Sequence, residues 1–402
     1  MPHGYFFDTS TNIAVTTDSN TFSTVFNTDY PGNQITGFQL NGVDIGSMIT
    51  PFVDLSFSTA NNYHYSIYGN NINTRFSFTK PKPRVAVTNC ASIKTYGIYT
   101  LYEFRTGSVG GTFQLNTSIP NIVLDLNVLL IGGGGAGGHY SDGTSGGAGG
   151  GGAGSYVTTI IKAPANTSSF TTVYFNINVG AGGAGTGTGN TSGSNGGSSI
   201  ITYVSSTRFL GNTTFSLTAA GGGSGGSKES PQGIFNLFNI NGSTGGACGN
   251  YLVDSVTAYS TNAGYTSHNG SIFTEIACSV NRGGSAYYLY GGGGGGGAGG
   301  QGQDFDGLSG GNGGNGKTWS INNVTYAGGG GGAKSVAGGA DNSSGGSGVG
   351  GNSATLAGQS GDAVANTGSG GGAGWQGAAG LSSGNGGSGI CIIAVKTSDI
   401  SL

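Results

Sequence analysis

The chain has 402 residues, of which 89 are glycine, 8 are proline and 29 are charged (13 basic and 16 acidic), and its formal net charge is −3. The few Lys and Arg are scattered, which excludes the clustered cations of a nucleic-acid surface and of a polybasic membrane-binding segment. No apolar run approaches the roughly 20 residues of a membrane span, and the first residues lack the pattern of a secretory signal.

Glycine is distributed unevenly, and its density divides the chain. Ten glycines precede Ile131, so 79 of the 89 lie in the last 272 residues. We therefore predict a boundary near residue 126. An extracellular style of surface without an export signal is compatible with a virion component, which is released by lysis and not by secretion.

Residues 1–52 are polar and contain short runs with β propensity, such as YFF and NIAVTT. In ITGFQLNGVDIGSMITPF, residues 35–52, Asn41-Gly42 is a strong turn signal between apolar stretches. We expect a strand, a turn and a strand here, within a segment that anchors or oligomerises the protein.

Residues 53–125 alternate apolar and polar side chains in several short runs. The runs VDLSFST, YHYSIYG, INTRFSFT, RVAVTN and GIYTLYEFRT are separated by Asn, Gly and Pro. This pattern predicts a small antiparallel β domain. An apolar run at residues 121–131, NIVLDLNVLLI, then leads into the first glycine block.

From residue 126 to 402, glycine blocks alternate with strand-like runs, among them SYVTTIIK, TTVYFNINV, SSIITYV, TTFSLTAA and the final ICIIAV. A flexible linker is one interpretation, because glycine loses the most backbone entropy on folding. The intervening strands and the three-residue spacing in GGNGGNG favour order instead. A helix of the polyproline II type has three residues per turn and no internal hydrogen bonds, so its backbone groups can bond only to neighbouring segments. We therefore predict an all-β N-terminal part followed by a polyglycine II helical sandwich with interspersed β-strands.

Variable turns at the ends of such a bundle are candidate receptor-binding loops, because tyrosine offers a large contact area at low entropic cost. The same aromatic residues could instead cap the glycine layers, and the sequence leaves both roles open. The candidates are Tyr140, Tyr251, Tyr259, Tyr265, Tyr287, Tyr288, Tyr290, Trp319 and Trp375.

Two stretches match motifs that carry chemistry. GNGGNGKT, residues 311–318, fits the phosphate-binding pattern G-x-x-x-x-G-K-[ST]. No apolar strand precedes it, and WSINNVTYAGGGGG predicts a short strand after it rather than a helix. GGQGQDFDG, residues 299–307, resembles a calcium-binding repeat, but Asp306 occupies the aliphatic position. We expect a solvated turn there, no metal, no cofactor and no enzymatic activity.

The cysteines and histidines form no recognisable site. Cys90, Cys248, Cys278 and Cys391 include no C-x-x-C pair, and the spacing of Cys248 and Cys278 allows either a disulfide or two buried thiols. The four histidines are dispersed along the chain.

The order of several motifs resembles a known family. NVLLIGGGGAGG, GGGGAGSYVT, FNINVGAGGAG, SNGGSSI and GNGGSGICIIAV follow one another over about residues 112–396. Together they resemble the glycine-rich domain of phage tail-fibre adhesins and of structural and fibre proteins of large viruses. The N-terminal third departs from the tail-fibre proteins.

The resemblance implies a polyglycine II sandwich that serves attachment or structural display on a virion surface, whether capsid, fibre or tail. We expect residues 1–125 to bind other virion proteins, the loops to bind a glycan or protein receptor of the host, and the chain to form a homo-oligomer. We expect no nucleic-acid binding and no membrane insertion. The alternative is a matrix-like or ice-binding glycine-rich protein without a viral role.

Overall fold

The fold is seen in a computed structural model. It describes residues 82–106, 110–116, 123–141, 146–163, 174–187, 189–204, 216–227, 242–248, 274–286, 291–334, 343–354, 359–375 and 382–401, and outside these ranges only the backbone of strands. The strands are β1 (Gly4–Asp8), β2 (Ile13–Asp18), β3 (Thr21–Phe26), β4 (Ile35–Leu40), β5 (Val43–Gly46), β6 (Phe52–Ser56), β7 (Asn62–Gly69), β8 (Ile72–Thr79), β9 (Arg84–Thr88), β10 (Ser92–Tyr96), β11 (Tyr99–Arg105), β12 (Gly111–Asn116), β13 (Val123–Ile131), β14 (His139–Tyr140), β15 (Tyr156–Pro164), β16 (Thr171–Asn178), β17 (Ser199–Thr207), β18 (Gly211–Ala219), β19 (Tyr265–Ser267), β20 (Phe273–Ser279), β21 (Lys317–Trp319), β22 (Val324–Tyr326), β23 (Gly374–Trp375) and β24 (Ile390–Lys396).

The described chain is therefore mostly β-strand in antiparallel sheets. Its helices there are two three-residue 3-10 turns, Gly346–Gly348 and Thr397–Asp399. The predicted all-β character is confirmed. Alternating apolar and β-branched residues favour strands because the pleat places successive side chains on opposite faces.

Two four-stranded sheets lie in the N-terminal region, in the orders β1-β2-β3-β6 and β5-β4-β7-β8. β4 and β5 pair antiparallel, with Leu40 opposite Val43. The two strands predicted in this stretch are therefore present. The predicted turn at Asn41-Gly42 lies outside the described residues.

Two six-stranded sheets, in the orders β10-β11-β24-β13-β15-β20 and β19-β18-β17-β16-β12-β9, enclose the main hydrophobic core. We call them the first and the second sheet. The core between them includes Phe104, Phe113, Leu130, Phe175 and Ile393, each at most 1% exposed. In β12, buried and partly buried residues alternate, as period-2 patterning predicts.

Strand pairing joins residues on both sides of the boundaries predicted from the sequence. The boundary predicted between residues 52 and 53 lies within β6, which pairs with β3. The boundary predicted between residues 125 and 126 lies within β13. β11 and β12, which precede that second boundary, pair with β24 and β16, which follow it. The unpaired backbone groups at the edge of a sheet can be satisfied by any strand that pairs there, and composition alone does not reveal which strand that is. The division into three domains stays a prediction.

A hairpin of β21 and β22 covers the outer face of the first sheet. Trp319 and Tyr326 from the hairpin pack against Leu129, Ile392 and other apolar residues of that face. Without the hairpin these side chains would lie in water, so the hairpin completes a second, smaller core.

The glycine segments continue the strands beyond the sheets. β13 leads into residues 132–138, β16 into 179–187 and β18 into 220–227, while residues 146–155 and 382–389 lead into β15 and β24. The backbone N–H groups of residues 132–138 donate in turn to three different segments, and every third residue returns to the same one. The bonds run from Gly133 and Ala136 to Gly197 and Ser194, from Gly134 and Gly137 to Gly387 and Gly384, and from Gly135 and Gly138 to Gly152 and Gly149.

The carbonyls of the same segment accept from three further segments. Gly222 and Gly225 donate to Gly133 and Ala136, Gly183 donates to Gly134, and Gly371 and Gly374 donate to Gly135 and Gly138. Residues 149–154 repeat the three-residue period with other partners. We call this array of laterally bonded segments the glycine block. It satisfies backbone groups that a buried loop would leave unpaired.

The absence of side chains is what allows this close approach. A Cβ placed on Gly135 would overlap the backbone of Gly223, and one on Gly330 would overlap Gly371. Ala136 and Ala153 also lie in these segments and are 0% exposed, so their methyl groups are buried within the packing.

A charged cluster lies at one edge of the first sheet. Glu103 in β11 is 6% exposed. Its carboxylate accepts a hydrogen bond from the Ser92 hydroxyl at 2.6 Å and pairs with Lys94 at 3.1 Å and Arg105 at 3.0 Å. Burial by itself raises the pKa of Glu103, but the Ser92 hydrogen bond and the two cations together lower it further, so the pKa lies below its ordinary value.

We expect Glu103→Gln to lower the free energy of unfolding by about 1–2 kcal/mol near neutral pH, because an amide cannot balance two cations. A carboxylate with a lowered folded-state pKa stabilises the fold above its unfolded-state pKa, roughly 4.3, and this contribution is lost as the pH falls through the folded-state pKa. Urea denaturation near pH 7 and near pH 3 measures the difference, which should shrink in acid. The exposed Glu275→Gln is the matched control; an unchanged Glu103→Gln deficit at both pH values contradicts the assignment.

Candidate functional site

The glycine block has one end at which the connections between its segments converge. Opposite that end, the segments continue into the two six-stranded sheets. One layer of backbone hydrogen bonds lies at the end of the block away from the sheets, and we call this end the loop end. Its bonds include His139 to Thr191, Gly138 to Gly149, Gly149 to Gly226, Gly226 to Gly246, Ala333 to Ala148, Gly292 to Ala333, and Gly374 to Gly138.

The chain leaves or enters this layer at many points. The connections that begin or end there and lie outside the described residues are 142–145, 188, 228–241, 249–264, 287–290, 335–342, 355–358 and 376–381. The described turn at residues 305–310 lies at the same end, since Phe305 N–H donates to Ser285 O and Gly311 N–H to Gly292 O. A regular scaffold with its connections gathered at one end is an arrangement that many binding proteins use.

Tyr140 and Trp375 are the two predicted residues that the described structure brings together. They are paired in register in the short parallel ladder of β14 and β23. Tyr140 is 1% exposed and packs in a cluster with Ala148, Cys248, Ala333 and Ala373, against which Trp375 lies half-buried. A Cβ on Gly146, whose φ is 146°, would overlap the Tyr140 ring, so glycine is required where the ring passes.

The remaining predicted residues are placed differently. Trp319 lies away from the loop end, in the β21–β22 hairpin on the first sheet, and is 5% exposed. Tyr265 lies in β19, of which only the backbone is described. Tyr251, Tyr259, Tyr287, Tyr288 and Tyr290 lie outside the described residues.

Burial bears on the two roles that the sequence leaves open for Tyr140 and Trp319. Their side chains are 1% and 5% exposed, which favours the capping role over direct contact with a receptor. Receptor binding by these two residues stays a prediction. Large aromatic rings bury more apolar area than any other side chain, which favours the interior wherever space exists.

Sequence reasoning missed a set of amide side chains at the lateral edges of the block. At each of these positions, the side-chain oxygen of an Asn accepts a hydrogen bond from a backbone N–H group that has no carbonyl partner in another segment. The pairs are Asn195 with Ser224, Asn312 with Ser344, Asn352 with Gly345, and Asn385 with Gly185, at 2.8–2.9 Å. Single Asn residues at three-residue spacing, as in GGNGGNG, were the available signal.

His139 is a second feature that the sequence did not reveal. Its ring is 1% exposed, and Nδ1 lies 2.7 Å from the carbonyl oxygen of Gly189. Within the described residues, His139 Nε2 and Trp375 Nε1 are buried without a hydrogen-bond partner. Their rings lie on successive register positions of a parallel pair and so point to opposite sides.

The two aspartates of residues 299–307, the stretch that resembles a calcium-binding repeat, stabilise turns. Asp306 accepts hydrogen bonds from the N–H groups of Leu308 and Ser309, both at 2.8 Å, and the backbone N–H of Ser309 and then that of Leu308 hold its pKa below the ordinary value. Asp304 accepts from Ser285 N–H at 2.6 Å. In the part of the chain that the structure describes, no group of three or more His, Cys, Asp or Glu residues is placed to hold a metal ion.

The phosphate-binding pattern falls on a different structure from a P-loop. Gly311 and Gly314 bond laterally to the segment 292–295, and Lys317 begins β21. The predicted strand after the motif is confirmed. No helix N-terminus follows Gly316, so the dipole and free N–H groups that cradle phosphate are missing from this stretch.

Lys317 is instead engaged with the first sheet. Its Nζ donates to Ser279 Oγ at 2.7 Å and lies 5.4 Å from the centre of the Tyr156 ring. We expect Lys317→Ala to lower the free energy of unfolding by about 0.5–1 kcal/mol through loss of the cation–π contact. Isothermal titration with Mg-ATP should give no heat of binding for either protein. ATP binding that Lys317→Ala abolishes would contradict this assignment.

A family model described as a glycine-rich domain matches residues 107–396. No curated protein matches the chain. Among the described residues, no helix is long and apolar enough to cross a membrane.

Proposed function

The chain belongs to the glycine-rich domain family, and from this premise we propose that it is a virion surface structural protein, a fibre, spike or adhesin. In this proposal residues 126–402 form a polyglycine II sandwich that displays variable loops for attachment to the host. Residues 1–125 bind other virion proteins, and the chain forms a homo-oligomer.

The three-residue period of lateral hydrogen bonds supports the polyglycine II assignment. A strand would direct its N–H groups alternately to two sides, whereas residues 132–138 direct them to three. A crystal structure tests the assignment through the rise per residue. We expect about 3.1 Å with three residues per turn; a two-residue repeat with side chains alternating between two faces would contradict it.

The convergence of connections at the loop end is the observation that carries the proposed attachment function. The block bonds laterally at every level, so its geometry is independent of the sequence of those connections. Turns can therefore change to fit a receptor without loss of the scaffold. The receptor, a glycan or a protein of the host surface, would contact the loops beside Trp375, while Tyr140 and Trp319 support the packing.

Oriented display tests this function. Leu308, 78% exposed, lies in the turn at the loop end, and Ser320 lies in the β21–β22 turn toward the opposite end. Leu308→Cys and Ser320→Cys would each be biotinylated and attached to beads coated with streptavidin. We expect saturable binding to host cells or to a glycan array only from the Ser320→Cys beads, with biotin-treated wild type as control. Equal binding in both orientations, or binding only from Leu308→Cys, contradicts attachment through the loop end.

A further inference from the structure

Asn–Gly pairs undergo a known spontaneous reaction whose rate depends on local freedom. The backbone nitrogen of glycine attacks the amide carbon of the Asn side chain, a new N–C bond forms, and ammonia leaves with the proton from that nitrogen. Water then opens the succinimide at either carbonyl, which yields aspartate or isoaspartate. The reaction requires that the glycine N–H and the Asn side chain are both released from their hydrogen bonds.

In three of the four Asn–Gly pairs that lie wholly in the described chain, the backbone holds both groups. The glycine N–H donates to a carbonyl of another segment, and the Asn oxygen accepts from a backbone N–H. The contacts are Gly196 to Gly222 with Ser224 to Asn195, Gly313 to Ser344 with Ser344 to Asn312, and Gly386 to Gly183 with Gly185 to Asn385, at 2.8–2.9 Å.

The fourth pair, Asn315–Gly316, lacks both restraints. Gly316 N–H donates to the hydroxyl of Ser347 at 3.0 Å, and the same hydroxyl lies 3.5 Å from Asn315 Oδ1. Asn315 is exposed, and Ser347 is an exposed turn residue with φ of 53°. Rotation of one serine side chain therefore frees the nucleophile and the electrophile together.

We propose that Asn315 is a modification site, at which the folded protein converts asparagine to isoaspartate and aspartate faster than at its other described Asn–Gly pairs. The site lies where the glycine block passes into β21. Gly299 N–H donates to Asn315 O at 2.7 Å. Isoaspartate adds a backbone atom at this position, so it shifts that carbonyl and loosens the hairpin that carries Trp319.

Peptide mapping by mass spectrometry, with chromatographic separation of Asn, Asp and isoaspartate forms, measures the reaction in the full chain during incubation at mildly alkaline pH. We expect product at residue 315 roughly tenfold faster than at residues 195, 312 and 385, because each backbone hydrogen bond must open before reaction. In urea the four rates should converge, since all four pairs share the Asn–Gly sequence. Equal rates in the folded chain, or a faster rate at another of the four, overturns the proposal.

Two variants test the role of the serine. Ser347→Ala removes the hydroxyl that restrains both groups, and we expect it to accelerate conversion at residue 315 while the other three rates stay unchanged. Asn315→Gln should abolish product at this position. An unchanged rate in Ser347→Ala, with thermal unfolding equal to that of the wild type, shows that the hydroxyl imposes no restraint and contradicts the mechanism.

Discussion

Gly135→Ala is expected to destabilise the protein by about 3–5 kcal/mol, because the added methyl group must displace backbone rather than side chain. Gly135 lies in the segment 132–138, where its N–H donates to Gly152 and its carbonyl accepts from Gly371. A Cβ there would overlap the Gly223 carbonyl. Relief requires two segments to separate, which breaks lateral bonds at the adjoining levels as well.

Thermal unfolding by calorimetry and urea denaturation measure this effect. For a domain of this size, each kcal/mol corresponds to roughly 2–4 °C in melting temperature, so the expected fall is about 10 °C. A loss of this size is a large fraction of the 5–15 kcal/mol typical of folded domains.

Gly187→Ala provides the matched control. Gly187 is exposed, and a Cβ there would meet only Ser382 Cβ at 3.7 Å. We expect no loss and a gain of up to about 1 kcal/mol, because alanine restricts the unfolded chain. Equal effects of the two substitutions would mean that the glycine block is not packed as described, and the polyglycine II proposal would fall with it.

The strands were predictable because their information lies in side chains. The runs SYVTTIIK, TTVYFNINV and ICIIAV become β15 (Tyr156–Pro164), β16 (Thr171–Asn178) and β24 (Ile390–Lys396). Period-2 alternation of apolar residues determines which face of a strand is buried, and the flanking glycines end the pattern.

The partners of the glycine segments were not predictable. Gly134 bonds to Gly387, more than 250 residues away by their numbers, and nothing in either residue specifies that pairing. Segments without side chains carry no register information, so the attached strands must set it. β13 and β24 are paired with Ile131 opposite Ile390, which places residues 132–138 beside residues 384–389.

The aromatic candidates show what composition leaves open. An aromatic residue beside a turn predicts recognition and packing equally well, because both use the same large apolar surface. Tyr140 follows a glycine segment and Trp319 follows Thr318 in a hairpin, yet both are buried. Their burial depends on distant partners, such as Ala373 for Tyr140 and Ile392 for Trp319, which local sequence does not name.

Trp319→Ala is the second substitution with a large expected effect, a loss of about 3–5 kcal/mol in the free energy of unfolding. Trp319 is 5% exposed and packs with Tyr326 on the apolar outer face of the first sheet. Truncation leaves a cavity beneath the hairpin and exposes Leu129 and Ile392, which the hairpin now covers. Urea denaturation followed by circular dichroism measures the loss.

Thr318→Ala, a substitution at the adjacent residue, distinguishes the loss of Trp319 packing from a general disturbance of the hairpin. Thr318 is exposed and exchanges a hydrogen bond of 2.8 Å with Thr325 across the strands, so its loss should cost about 1 kcal/mol or less. If Trp319 supports the fold and does not touch a receptor, Trp319→Ala loses stability while the folded fraction binds host cells as the wild type does. Unchanged stability together with abolished binding would mean that Trp319 contacts the receptor. The β21–β22 hairpin would then have to leave the sheet during attachment.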